Sequence, residues 1–207
     1  MSAPLKIVNL GLPKSGTTTL GMALRKAKLK VADWKVTDER IGEPSFVGHL
    51  MYEGYYRTGD PLAFMPEYDA FSEIDIVRQK MNYWPQTDWG LIAAIRQHHP
   101  GARFLLTTRD ARKVSESMHA WSNLGTHRLP TNWIPGLPVP YGGTDDERIR
   151  WIEGHYAFCR QVFRDADDFL EVNVADDDAR DKIAAFIGVE LPWWGVANAR
   201  ESGEDVI

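Results

Sequence analysis

The segment with the most chemical content is Gly11-Leu-Pro-Lys14-Ser-Gly16-Thr17-Thr18. Two glycines at this spacing, followed by a hydroxyl residue, match the phosphate-binding pattern G-x-x-x-x-G-K-[ST]. In that pattern, successive backbone N–H groups at a helix N-terminus form a nest for an anion. The usual lysine is missing: Thr17 stands in its place, and the cation sits at Lys14, two residues before the second glycine. The backbone nest survives this change, but the positive charge reaches the other side of the bound phosphate. The plainer alternative is a strand–turn–helix connection in which Gly and Ser merely cap the helix. Strand, glycines, lysine, paired threonines and helix together favour the anion.

A second cationic segment reads Arg109-Asp-Ala-Arg-Lys-Val-Ser-Glu-Ser117. A phosphate-binding-loop kinase needs an acidic residue at the end of a second strand to hold Mg²⁺. Here the strand Arg103–Thr108 runs into Arg109, whose guanidinium suits bidentate phosphate contact rather than metal. Asp110 follows at once and keeps the kinase reading open. Taken alone, Arg109 also reads as a cap on a sheet edge.

Residues Pro13-Lys-Ser-Gly-Thr-Thr18 resemble the 5′-phosphosulfate loop of sulfotransferases that use 3′-phosphoadenosine 5′-phosphosulfate (PAPS). Arg109 and Ser117, eight residues apart, resemble that family's 3′-phosphate motif. The resemblance implies that Lys14 contacts the oxygen bridging phosphate and sulfate, and that Pro13, Ser15, Gly16, Thr17 and Thr18 build the loop around the 5′-phosphate. Arg109 and Ser117 would grip the 3′-phosphate. It further implies PAPS as donor, 3′,5′-adenosine bisphosphate (PAP) as product, and a hydroxyl or amine of a small or carbohydrate acceptor. No metal is expected. The segments FLEVNV and FIGVELP resemble the C-terminal strand and helix of short members. Two departures stand out. Ala111 occupies a position where the family often has proline, and the Arg-Lys-Gly nucleotide motif is absent, with Arg200 as a candidate substitute or a solvated tail residue. The competing readings are a small-molecule kinase with Asp110 as metal ligand, and a non-catalytic nucleotide-binding protein.

Sulfuryl transfer to a hydroxyl or amine benefits from a general base beside the acceptor. In the family this is a His or Glu, often at the end of the strand after the first helix, which points to Glu73. A carboxyl next to a phosphosulfate has its pKa raised, as suits a base near neutral pH. His49, Asp75 and His119 are the other candidates, while His98 and His99 end a helix, where solvation or capping suffices.

These groups need a scaffold. Lys6–Leu10 reads as a buried strand, and Thr19–Lys28 as a helix with Leu20, Ala23, Leu24 and Ala27 on one face. Phe46–Tyr56 is a predicted helix ending before Gly59, Tyr68–Ile74 a strand, and Trp89–His98 a helix stopped by Pro100-Gly101. Arg103–Thr108 is the clearest strand after the first, with a helix over Ala111–Trp121. Gly125–Gly143, rich in Pro and Gly, reads as an irregular loop whose Trp133 and Tyr141 could form a lid over an aromatic or apolar acceptor. Thr144 and Glu147 form a capping box opening a helix to about Phe163. Phe169–Val174 reads as a strand, and Asp176–Asp178 opens a last helix to about Ile187, with Gly188 as its stop. Strands alternating with helices imply a three-layer α/β fold of the P-loop type, its mainly parallel sheet flanked by helices. The whole of 1–207 is expected to form one sulfotransferase-like domain.

The chain has 207 residues and a formal net charge of −5, with no basic run. That argues against non-specific nucleic-acid binding but says little about one cleft. The single cysteine, Cys159, is expected to be buried and inert, and it forms no intrachain disulfide. The N-terminus has no charged segment followed by an apolar one, and no apolar run nears the roughly 20 residues that span a bilayer. The expectation is a cytoplasmic protein. The histidines lack metal-ligand spacing, and Asp176–Asp178 lacks the glycine and terminal Glu of a calcium loop. Trp193-Trp194 is expected to pack on the sheet or on a partner. Acceptor identity and oligomeric state are not readable.

Overall fold

The computed structural model describes residues 5–40 and 42–197. Its first half runs β1 (Ile7–Asn9), α1 (Thr17–Lys26), β2 (Val31–Ala32), β3 (Lys35–Asp38), β4 (Glu43–Phe46), α2 (Val47–Thr58), β5 (Ala70–Phe71), β6 (Ile76–Arg78), β7 (Met81–Tyr83) and α3 (Trp89–His98). The second half runs β8 (Arg103–Thr108), α4 (Ala111–Ala120), α5 (Leu129–Thr131), α6 (Asp145–Val162), β9 (Phe169–Asn173) and α7 (Ala179–Ile187). Five strands form one sheet in the order β2-β5-β1-β8-β9, and every pairing in it is parallel. No described helix is long and apolar enough to cross a membrane.

Side-chain alternation along the strands makes two cores. Ile7, Ala70, Leu105 and Val172 face one side, where Leu20, Ala23 and Leu24 of α1 and Ile183 and Ile187 of α7 cover them. Val8, Phe71, Phe104 and Leu106 face the other, packed against residues of α2, α3, α4 and α6 such as Leu50, Ile95, Val114 and Ile152. A strand sandwiched between helix layers reads as an unbroken apolar run, as Arg103–Thr108 does. Each fully buried Leu or Phe stabilises the fold by about 2 kcal/mol. Trp193 and Trp194 pack against the α1–α7 side.

Most expected elements form where the sequence puts them. α2 ends at Gly59, which is left-handed at φ 85°. The Thr144–Glu147 capping box forms in both directions. Cys159 is buried, and burial pushes its thiol up to about 12. Beside it the neutral ring of His155, its pKa lowered by burial, reaches the carbonyl of Leu10 at 2.7 Å.

One expected strand needs correction, and one hairpin lies outside the expected elements. The strand expected over Tyr68–Ile74 is only Ala70–Phe71, after which the chain turns away from the sheet. The hairpin β3–β4 is invisible in the apolar pattern because an acid fills an inward position: Asp38 is buried and held by the Arg40 side chain at 2.6 Å.

The larger correction concerns Gly125–Gly143. It is a packed strap, not an irregular loop. A π-helical turn, Leu124–Arg128, leads into α5, and Leu124, Leu129, Ile134 and Leu137 are buried in the core. Trp151 Nε1 donates to the carbonyl of Pro135 at 2.9 Å. Arg148, 1% exposed, holds both ends of the strap. Its guanidinium donates to the carbonyls of Gly125, Gly142 and Gly143, to Ser115 Oγ on α4, and to Asp145. Many carbonyl acceptors on one cation give the strap an order that its composition does not suggest.

Replacing Arg148 by Leu removes the cation and strands several buried acceptors. The expected cost is about 3 kcal/mol, read by urea denaturation.

Candidate active site

Three strands end side by side at the carboxyl edge of the sheet, and Asn9 binds them together. Its Oδ1 accepts from Gly11 N–H, Thr107 N–H and Thr107 Oγ1, each at 3.2 Å, and its Nδ2 donates to the Ser72 carbonyl at 2.9 Å. Gly11 is obligatory in this position, since a Cβ there would lie 2.1 Å from Thr107 Oγ1. Gly16 caps α1 in the left-handed region at φ 106°, and a Cβ would meet Val174 at 2.7 Å. Lys14 is also left-handed, at φ 71°, a conformation that a non-glycine residue holds only when its surroundings fix it. The first N–H groups of a helix have no partner within it, and those of α1 open at the edge of a cleft of about 750 Å³, a volume suited to a small ligand.

Pro13, Lys14, Gly16, Thr17, Thr18, Glu73, Arg109 and Ser117 all line this cleft. The two cationic segments therefore share one cavity. Lys14 Nζ sits 3.7 Å from the centre of the Trp121 ring, just past the end of α4. Arg109 leaves β8 with its backbone gripped from α6: the Tyr156 hydroxyl accepts from its N–H at 3.4 Å and donates to its carbonyl at 3.3 Å. Ser117 follows on α4.

Ser15 is the exception among the expected loop residues. It is fully buried beneath the loop, its hydroxyl pairs with Thr107 Oγ1 at 3.0 Å, and its N–H donates to the Leu12 carbonyl. The correction is physical: Ser15 fixes the loop to β8 and turns no polar group into the cleft.

Among the candidate bases, Glu73 and Asp75 reach the cleft, while His49 and His119 are exposed and do not line it. Glu73 Oε2 accepts from Thr17 Oγ1 at 2.8 Å. Burial raises its pKa, and the Thr17 hydrogen bond and the Lys14 cation oppose that rise. Asp75 is buried, with Oδ1 accepting from Gln86 Nε2 at 2.7 Å. Burial first, and then the neighbouring Glu73, raise its pKa well above the usual carboxylate range. Asp110, by contrast, caps α4 by accepting from Lys113 N–H and does not line the cleft.

The cleft also contains groups the sequence did not single out: Asp33, Trp34, Arg78, Trp121 and Arg128. Trp34 and Trp121 supply the aromatic surface expected of Trp133 and Tyr141, which do not line it. Arg78 follows Glu73 closely in β6, a weak positional signal. Arg128 gave none, because its segment reads as a loop. Arg200 lies outside the described residues.

Fold and loop define an α/β protein of the P-loop type. The sulfotransferase domain family matches residues 6–139, well over half of the chain, and the chain belongs to that family. A search of curated proteins finds no match. Among solved structures, mouse sulfotransferase SULT7A1 complexed with PAP is similar at 14% identity and a TM-score of 0.45. That likeness covers 91% of this chain and 59% of the mouse chain, so this chain spans less than two thirds of that protein's length.

Burial of Asp75 has a sign that can be measured. A carboxyl with a raised folded-state pKa favours folding while both states are protonated, and that contribution is lost as pH rises through the folded value. Asp75→Asn keeps an oxygen for Gln86 and removes the titration. The variant is expected to lose less stability than the parent as pH rises from about 4, the ordinary aspartate value, to neutrality in urea denaturation, and parallel losses would contradict this.

Proposed function

We propose that this protein is a sulfotransferase that uses PAPS and delivers the sulfuryl group to a hydroxyl or amine of a small acceptor. One observation carries the reading. Lys14, Arg109 and Ser117 line a single cleft at the carboxyl edge of the sheet, an arrangement suited to a nucleotide bearing more than one phosphate. Membership of the sulfotransferase domain family supports it.

PAPS supplies the sulfuryl group on a phosphate oxygen that can leave. The α1 amides, with Gly16 and Thr18, hold the 5′-phosphate, and Pro13 shapes the loop around it. Lys14 balances the charge that grows on the bridging oxygen as its bond to sulfur breaks. Arg109 and Ser117 hold the 3′-phosphate. Glu73 takes the proton from the acceptor oxygen or nitrogen as that atom bonds to sulfur, so PAP leaves with the electron pair of the broken S–O bond. The raised pKa of Glu73 favours proton uptake near neutral pH. Thr17, which donates to Glu73, orients the base. The kinase reading has weaker support, because the Asp110 carboxylate is engaged as a helix cap.

Thermal shift separates these readings. PAP without metal is expected to stabilise the protein, and Arg109→Ala to weaken that effect at least about tenfold in apparent affinity. Stabilisation by ATP with Mg²⁺ but not by PAP would replace the sulfotransferase with a kinase. Lys14→Ala is expected to lower turnover on the order of 100-fold or more with a smaller loss of PAP binding.

Glu73→Gln is expected to lose at least about 100-fold in kcat and the rising limb of the pH profile, while PAP still binds. An unchanged profile in this variant would remove Glu73 as base.

A further inference from the structure

The anchors assigned to the nucleotide leave two guanidiniums of the cleft unused, Arg78 on β6 and Arg128 in the π-helical turn. Neither has an ion-pair partner among the described residues, although three carboxylates share the cleft with them. Asp33 pairs with Arg25 at 3.1 Å and Glu73 accepts from Thr17, while Asp75 accepts from Gln86 and attracts Arg128 only at longer range. Arg128 spends one N–H on the Val77 carbonyl at 3.3 Å, while its Nε is buried with no hydrogen-bond partner among the described residues. A buried guanidinium N–H left unpaired is costly, and two like charges sharing a cavity add to the cost. Burial first, and then the neighbouring Arg78, lower the Arg128 pKa against an opposing pull from Asp75, so the two cations do sense each other. An oxyanion lying between them would relieve both penalties.

Their position indicates which ligand would bring that anion. Both arginines lie on the segments after Glu73 and after Trp121. Both line the same cleft as Glu73, the residue proposed above as the base. Trp34 lies beneath Arg78, 5.4 Å from its guanidinium, and offers a flat apolar surface on the same wall.

We propose that Arg78 and Arg128 form an acceptor subsite for an oxyanion, so that the acceptor carries a carboxylate, sulfate or phosphate group besides the hydroxyl or amine that is sulfated. This rests on the sulfotransferase reading above, and its test separates the two. The protein is first saturated with PAP, and the PAP shift itself reads the nucleotide site. Sodium sulfate or sodium acetate is then added, with sodium chloride at equal ionic strength as reference. A further shift of about 3 °C is expected with at least one of the two oxyanions, which also identifies the preferred group. The increment is expected to vanish in Arg78→Gln and in Arg128→Gln. Because Arg78 is exposed, its variant keeps the test valid even if Arg128→Gln unfolds.

General salt stabilisation, or sulfate seated against the nucleotide, would persist in both variants, and equal increments in parent and variants would overturn the subsite. In turnover, 4-hydroxyphenylacetate is expected to exceed tyramine at least about tenfold in kcat/KM, with the ratio collapsing in Arg78→Gln. Preference for the cationic phenol would likewise overturn the proposal. A missing PAP shift would instead count against the nucleotide reading.

Discussion

Everything at the carboxyl edge depends on how one buried amide resolves a geometric problem. Three parallel strands end together, and each then leaves in a different direction carrying a different chemical group. β1 leads to the loop with Lys14, β5 to Glu73, and β8 to Arg109. The Asn9 side chain touches all three exits at once, through Gly11 N–H, the Ser72 carbonyl and Thr107. Ser15 Oγ, Thr107 Oγ1 and Asn9 Oδ1 then form a chain that ties the loop back down onto β8. Buried polar groups of this kind must be satisfied by one another, and when they are they specify a single arrangement. Asn9 is 1% exposed, Ser15 and Thr107 fully buried, so the network sits where water cannot substitute for any member. The spacing between the lysine, the carboxylate and the arginine is set by this network beneath the cleft.

Above that edge the cleft is built from opposed electrostatic demands. Burial drives Glu73 and Asp75 toward their neutral forms, while Thr17, Gln86 and the nearby cations pull them toward ionisation. The outcome differs between the two carboxyls because their surroundings differ. Glu73 is half-buried, borders the cleft and has a hydroxyl donor together with Lys14 in range. Asp75 is buried deeper and feels Glu73 as a like charge, so its pKa rises further. Burial opposes a second charge beside Glu73, and this cost falls more heavily on the deeper Asp75. The chain's net charge of −5 is thus no guide to this cavity, where Lys14, Arg78, Arg109 and Arg128 gather.

What the sequence disclosed follows from which signals are local. The helices α1, α3, α4 and α6 and the strand β8 are legible because their apolar periodicity and their end signals lie within one window. Thr144 and Glu147 specify their capping box from three residues apart, and Gly59 and Gly188 stop helices through their own backbone freedom. Lys14, Glu73, Arg109 and Ser117 are legible because each sits at a strand exit or on the helix just after one. The failures are non-local. Ser15 reads as a phosphate ligand by motif position, yet its orientation is decided by Thr107, 92 residues away. The strap over 124–143 reads as irregular because Pro and Gly interrupt its periodicity, and its order comes from Arg148 and Trp151 on another element. An acid at an inward strand position, Asp38, hides a hairpin because its partner Arg40 is not part of any apolar pattern.

The same distinction bears on how the two sides of the cleft relate. The proposed nucleotide side rests on the sheet edge, whose register is locked by paired strands and by Asn9. The proposed acceptor side rests on β6, the Trp121 corner and the strap, which reach the core through a few apolar anchors and the Arg148 guanidinium. A site assembled this way can change its acceptor specificity by altering Arg78, Arg128, Trp34 or the strap without touching a residue of the phosphate nest. The reverse does not hold, since any change at Gly11, Ser15 or Thr107 moves the loop, and with it Lys14, whose ammonium also contacts the Trp121 ring on the acceptor side. Lys14 over the Trp121 ring is the contact that joins the loop to the end of α4, so a displaced loop would first be felt there.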